Sequence, residues 1–182
     1  MVDPRRWGRL IGLIGGLVFV ASYSSVFGGG VSAAAWVAGV ALAMAALFSH
    51  YVRPVSLGSF TRPRPVALAT YGACIVGELA LIALGSRALR AVGHADLRPA
   101  LIAAVVGLHF IPFAWAFGER MFFWLGGLLL VLGAVGIVAG AIGVVHAANA
   151  LAVVAGLAML VIITLYAMGR FTPCPSPASG DP

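Results

Sequence analysis

VVGLHFIPFAWAFGERMFFWLG, residues 105–126, holds two apolar runs with only Gly118, Glu119 and Arg120 between them. Each run continues outward without charge, to about residue 99 on one side and about residue 143 on the other. Two apolar stretches of this length joined by three polar or small residues predict a helical hairpin crossing a membrane twice. Backbone polar groups in hydrocarbon must be satisfied within their own segment.

The same pattern extends over the whole chain. Of 182 residues, 62% are hydrophobic and 9% are charged, whereas water-soluble domains carry about 25% charged residues. So few charges do not cover a water-facing surface. Six apolar runs are predicted as spans, near 8–27, 31–51, 66–86, 99–117, 121–143 and 148–169. Each is about 20 residues, enough for a helix to cross about 30 Å. Strand alternation is absent from them, which argues against a barrel. The expected fold is all-α, a six-transmembrane-helix bundle forming one domain over 1–170. The tail 171–182, FTPCPSPASGDP, has four prolines and no apolar periodicity, and is expected to be disordered and cytoplasmic.

Eleven basic residues against five acidic ones give a net charge of +6. All eleven are arginines, and they stand at the ends of apolar runs rather than in a patch fit for nucleic acid. With the amino terminus inside, Arg5, Arg6, Arg9, Arg53, Arg62, Arg64, Arg120 and Arg170 are cytoplasmic, and Arg87, Arg90 and Arg98 are outside. Eight against three predicts both termini in the cytoplasm. Inner arginines also suit anionic lipid head groups. The exclusive use of arginine, with the Ala, Gly and Val content, points to a GC-rich bacterial genome and so to the inner membrane. The first run has the flanks of a signal peptide, but five further spans favour its retention as a helix. The connector 52–65 is rich in proline and arginine and reads as a short cytoplasmic loop.

Small residues recur every fourth position: Gly8, Gly12 and Gly16; Ala35, Gly39 and Ala43; Gly136 and Gly140 with Ala139 and Gly143; Ala148, Ala152 and Gly156. Such stripes let helices approach closely. They predict a tight intramolecular bundle and are compatible with a homo-oligomer face or a membrane-protein partner. Residues 9–20 and 120–131 also share an arginine six positions before a Gly-Gly pair. That likeness, with one between 37–44 and 154–161, raises the prospect that the first and last hairpins are copies of one unit.

Three residues stand out inside the spans. Glu78 lies about 18 Å along the third span and His109 about 12 Å from the inner end of the fourth. The spans are consecutive and antiparallel, so the two side chains fall at similar depth. An unpaired charge at mid-membrane is costly, about 2.5–3.5 kcal/mol on insertion scales, so the carboxylate and the imidazole are expected to meet. Pro112 removes the donor for the Leu108 carbonyl and is expected to kink the helix beside His109. Two readings stand for this polar pocket. One is a buried staple fixing how the third and fourth spans pack. The other is a proton relay or solute site lined further by residues such as Ser24, Tyr71 and Thr164.

Other chemistry finds little support. Without lysine no Schiff base forms, which excludes retinal- and pyridoxal-type enzymes. His50, His94 and His146 stand near span ends, and no two histidines have the spacing that puts paired ligands on one helix face, so no metal or other cofactor is expected. His146 and Asn149 are expected to cap the last turn. Glu119 favours the start of the fifth span through its dipole. Trp7, Trp115, Phe117, Phe122, Phe123 and Trp124 read as an inner aromatic belt, and Trp36 as its outer counterpart.

The GLHFIP helix (107–112), with TYGACIVGELA (70–80) upstream, resembles that of uncharacterised small multi-pass membrane proteins of actinobacteria. The resemblance implies a six-span bundle and points to Glu78, His109 and Pro112, without giving them roles. These features favour a non-enzymatic accessory or interaction module, with a small transporter or proton-linked channel as the alternative.

Overall fold

The computed structural model describes residues 5–52, 65–117 and 119–171. They form six helices: α1 (Arg5–Tyr23), α2 (Gly29–Tyr51), α3 (Pro65–Ala91), α4 (Arg98–Phe117), α5 (Arg120–Ala141) and α6 (Ala147–Ala167). All six are long and apolar enough to cross a membrane, and no strand occurs among the described residues. The fold and the number of spans agree with the sequence reading.

Two boundaries differ from it. The third helix runs on to Ala91, so Arg87 and Arg90 stand on its last turns rather than in a loop. At 27 residues it is about 40 Å long, more than the hydrocarbon core requires. The first helix stops at Tyr23 and is followed by a single 3-10 turn, Ser25–Phe27. There the buried Ser24 hydroxyl hydrogen-bonds the Ser32 hydroxyl at 3.0 Å, tying α1 to α2. The tail beyond residue 171, with Cys174, and the arginines of the 53–64 connector lie outside the described residues.

Three helices end in the same way. After α5, Val144 N–H donates to the Ala139 carbonyl (3.0 Å) and Gly143 N–H to the Gly140 carbonyl (3.0 Å). This is a Schellman closure, and it needs the left-handed backbone of Gly143 (φ 89°). Gly93 and Gly169 close α3 and α6 by the same pair of bonds. Gly143 therefore belongs to a turn and not to a packing stripe. His146 also departs from expectation. It adopts a left-handed backbone (φ 60°) just before α6 and makes no side-chain cap bond, while its ring meets the edge of Phe27. The turn is shaped by backbone conformation there, not by an imidazole cap.

Helix α6 is the axis of the bundle. It packs against α1, α2, α4 and α5, and 61% of its span is buried. Ala148, Ala152 and Gly156, the small residues picked out in sequence, all face neighbours. A Cβ at Gly156 would stand 2.7 Å from the Gly16 carbonyl oxygen, so α1 and α6 touch backbone to backbone. The α4–α5 contact is closer still. A Cβ at Gly107 would lie 2.7 Å from the Gly126 carbonyl oxygen, and one at Gly133 would lie 2.7 Å from that of Ala100. Gly136 and Gly140 extend this seam to Ala100 and Leu97.

The apparent repeat does not govern packing. Gly16 meets Gly156 closely, but its counterpart Gly127 has open space around it. The pair α5–α6 packs intimately, whereas α1 and α2 each lean mainly on α6.

Helix α3 is the outlier. It rests on α4 and on the short turn Ala95–Leu97 that precedes it, and only 6% of its span is buried. Its covered residues include Ile75, Glu78, Ile82, Gly85 and Leu89, which follow a spacing of three and four, with Cys74, Gly77 and the buried Ser86 beside that line. This is the narrow seam of a two-helix contact. Leu89 reaches the small cluster of Leu97, Ala100 and Ala148, and a Cβ on Gly85 would press on Leu101.

Candidate functional site

Position 78 falls on the α3 seam because it is three residues after Ile75 and four before Ile82, which turns its side chain toward α4. His109 lies on the facing side of α4. The structure brings the two together: His109 Nδ1 and Glu78 Oε2 form a short hydrogen bond with ion-pair geometry. Their side chains are 15% and 18% exposed, so the pair is largely enclosed by protein.

Counting protons shows what this arrangement holds. The pair is neutral overall either as carboxylate with imidazolium or as carboxylic acid with imidazole. Both forms carry the same number of protons and differ only in which atom holds the bridging one. Removing one proton leaves a net negative charge among apolar side chains, and adding one leaves a net positive charge. An uncompensated charge among apolar side chains is costly.

Aromatic rings build the floor on the side toward the ends of α4 and the start of α5. The His109 ring lies 4.6 Å from those of Phe110 and Phe113. Phe110 stacks on Phe122 of α5 at 5.8 Å, and Tyr71 of α3 stacks on Phe113 at 5.2 Å. Phe117 packs against both Phe113 and Phe122. Phe117 and Phe122 were expected in an interfacial belt, but they turn inward to support the histidine. Trp115, Phe123 and Trp124 are the outward-facing members, and Trp36 is also exposed. The side chain of Trp7 lies outside the described residues. The cluster had a signal in sequence, since Phe110, Phe113 and Phe117 are spaced as one helix face.

Pro112 is half-buried one turn from His109, and α4 runs through it as one helix from Arg98 to Phe117. Cys74 stands one turn before Glu78 on α3, partly covered. Of the polar residues considered as further lining, only Tyr71 joins the site. Ser24 is used by Ser32, and Thr164 donates to the carbonyls of Leu42 (3.1 Å) and Leu160 (2.7 Å), joining α6 to α2. A small cavity of about 10 Å³ lies elsewhere, between α1, α2 and α6, where Leu10, Leu13, His50 and Ile163 line it. Glu119 stands at the N-cap of α5 in an extended conformation and makes no side-chain cap bond. Among the described residues no three His, Cys, Asp or Glu side chains gather as metal ligands.

Comparison with known proteins adds no assignment: no family model matches the chain, and neither does any curated protein or solved structure.

Proposed function

We propose that this chain is a non-enzymatic multi-pass protein of the bacterial inner membrane that serves as an accessory or interaction module, with α3 as the interacting element. The observation that carries this reading is the difference between α3 and the other helices. Helices α1, α2, α4 and α5 all pack against α6, while α3 has a single narrow seam on α4 and the turn before it. A helix with three free sides in the bilayer is available to another membrane protein without disturbing the core. Kinship with small multi-pass actinobacterial membrane proteins, on the strength of the GLHFIP helix, belongs to the same reading.

On this reading both termini lie in the cytoplasm. Arg120 and Arg170 stand exposed at one end of the bundle, and Arg87, Arg90 and Arg98 at the other. With the arginines of the first helix and the 53–64 connector added, the balance is eight to three in favour of the N-terminal end.

The reading is tested by photo-crosslinking in growing cells. Probes at the exposed positions Val76 and Leu84 of α3 are compared with probes at Val135 of α5 and Val161 of α6. Discrete protein adducts confined to α3 are expected. Adducts of equal yield from all four positions, or lipid adducts alone, contradict it.

A second reading is a small transporter or proton-linked channel working through Glu78 and His109. The observation in its favour is the pair itself, a titratable contact in mid-span. Proteoliposomes holding the purified protein decide between the two. Proton flux above the protein-free level that disappears with Glu78→Gln replaces the module reading with the transport one.

A further inference from the structure

We propose that the Glu78–His109 pair is a proton-operated latch that holds α3 against α4 and releases it when the pair loses electrical neutrality. The proposal rests on the reading of α3 as the interacting helix and adds how its docking is controlled.

Three observations support it. First, among the described residues this is the only side-chain hydrogen bond or ion pair joining α3 to another helix. The rest of the seam is narrow: Ile75, Ile82, Gly85 and Leu89, the stacked ring of Tyr71, and the buried Ser86, whose hydroxyl has no hydrogen-bond partner among the described residues. In lipid, apolar contacts between helices gain nothing from the exclusion of water, since acyl chains replace them at little loss. The polar tie therefore has an unusually large share in the docking of this helix.

Second, the charge of the pair is not compensated by neighbours. Between residues 65 and 86 the only charged residue of α3 is Glu78, and the other titratable groups on its side toward the pair are Tyr71 and Cys74. On α4 the nearest charge besides His109 is Arg98, eleven residues away at the far end. α5, which supplies Phe122 to the floor, carries only Arg120, at its start. The short turn beneath α3 carries Asp96, also at the far end. Proton gain or loss by the pair thus changes the net charge of the seam by a full unit.

Third, the aromatic floor touches the His109 ring directly, whereas it meets the helix of Glu78 through Tyr71. His109 is held between Phe110 and Phe113, which are braced by α5. Glu78 stands on a helix that the floor reaches through Tyr71, stacked on Phe113, while Leu89 and Gly85 pack further along the seam. When the proton leaves, the carboxylate is the group free to move, and rotation or separation of α3 carries it toward the water-facing ends. Docking is therefore greatest while the pair is neutral. It weakens when raised pH removes a proton and when lowered pH adds one. One proton shifts such an equilibrium by at most about tenfold per pH unit.

The experiment uses the full chain in phosphatidylcholine nanodiscs, with Cys74 and Cys174 replaced by alanine and spin labels at Val76→Cys in α3 and Val135→Cys in α5. A second labelled pair, Val135→Cys with Val154→Cys, reports the α5–α6 contact. The expected result is one distance population for α3–α5 near neutrality. As pH is raised, a longer population grows toward the tenfold-per-unit limit, while the α5–α6 distance stays fixed. In Glu78→Gln/His109→Gln, which keeps two hydrogen-bonding groups without a titrating proton, the growth disappears. If that variant fails to fold, the wild-type series still decides, because the α5–α6 pair separates α3 release from unfolding. An α3–α5 distance that is constant with pH, or one that changes equally in the double variant, overturns the latch. Crosslinks confined to α3 in cells alongside a pH-independent α3 would end the latch and leave the interaction reading. An opening α3 that captures nothing would do the reverse.

Discussion

Helix α4 holds α5 and α3 by opposite means. Toward α5 it presents Gly107, Ala100 and Ala104, and the two backbones meet with no side chain between them. Toward α3 it presents Leu101, His109 and Phe113, and the contact is a thin seam with one polar side-chain bond. The first interface depends on the absence of atoms and has no titratable part. The second depends on a proton. A bundle can thus combine a permanent core, α4–α5–α6 with α1 and α2, with one conditional helix on its edge.

Substitutions that fill the first interface should do the most damage. Gly133→Leu places a side chain where the Ala100 carbonyl oxygen lies 2.7 Å from the first added atom. Overpacking of this kind costs about 3 kcal/mol or more when backbone has to move. The expected outcome is loss of most folded protein from detergent extracts, measured by size-exclusion profile and thermal melting. Melting equal to wild type would show that the α4–α5 backbones are not in contact.

The second interface should respond more mildly. Glu78→Ala leaves His109 without its partner, for an expected loss of about 1–3 kcal/mol. Replacing both with leucine should be less harmful than the single change, since no polar group is then left unpaired. Reversible unfolding in mixed micelles measures both. A double leucine variant worse than Glu78→Ala would show that the pair stabilises by more than mutual satisfaction.

Thr164→Val removes the bond from α6 to the Leu42 carbonyl and should cost about 0.6 kcal/mol, the average for interhelical side-chain bonds in membranes. The same unfolding assay reads it, and a loss as large as that of Glu78→Ala would contradict the special place given to the α3 seam. At the bottom of the scale, Gly77→Ala on α3 adds a methyl where nothing lies within 4 Å. Helix propensity then predicts a change between zero and a gain of about 1 kcal/mol. A clear destabilisation would reveal a close neighbour on the open side of α3.

The six spans and the Glu78–His109 contact were legible in the sequence. Length and apolarity define the spans, and an acid and an imidazole at matching depth on adjacent antiparallel helices have few other places to go. Which helix is central was not legible from apolarity alone. In lipid both the buried and the exposed sides of a helix are apolar, so the polar–apolar stripe that marks a core face in water is absent. Size carries part of that information: Ala148, Ala152 and Gly156 lie inside α6, and Val135, Val138 and Trp124 lie on the outside of α5. Even so, small residues are ambiguous. Gly16 and Gly127 occupy matching positions in two similar strings, yet one is pressed against Gly156 and the other stands open. Gly143 looked like part of a stripe but serves a turn, because a left-handed residue cannot be recognised until the helix end is known. The aromatic floor was hidden for a related reason. Phe117 and Phe122 stand near the α4–α5 turn, where a belt is expected, and only the hairpin geometry turns them inward.

The most direct test of the account is a double-mutant cycle on Glu78→Ala and His109→Ala, with unfolding free energy read in the same lipid and at neutral pH. The account predicts that the two changes are strongly non-additive, with a coupling of about 1–3 kcal/mol. Additive losses would show that these side chains do not hold α3 to α4.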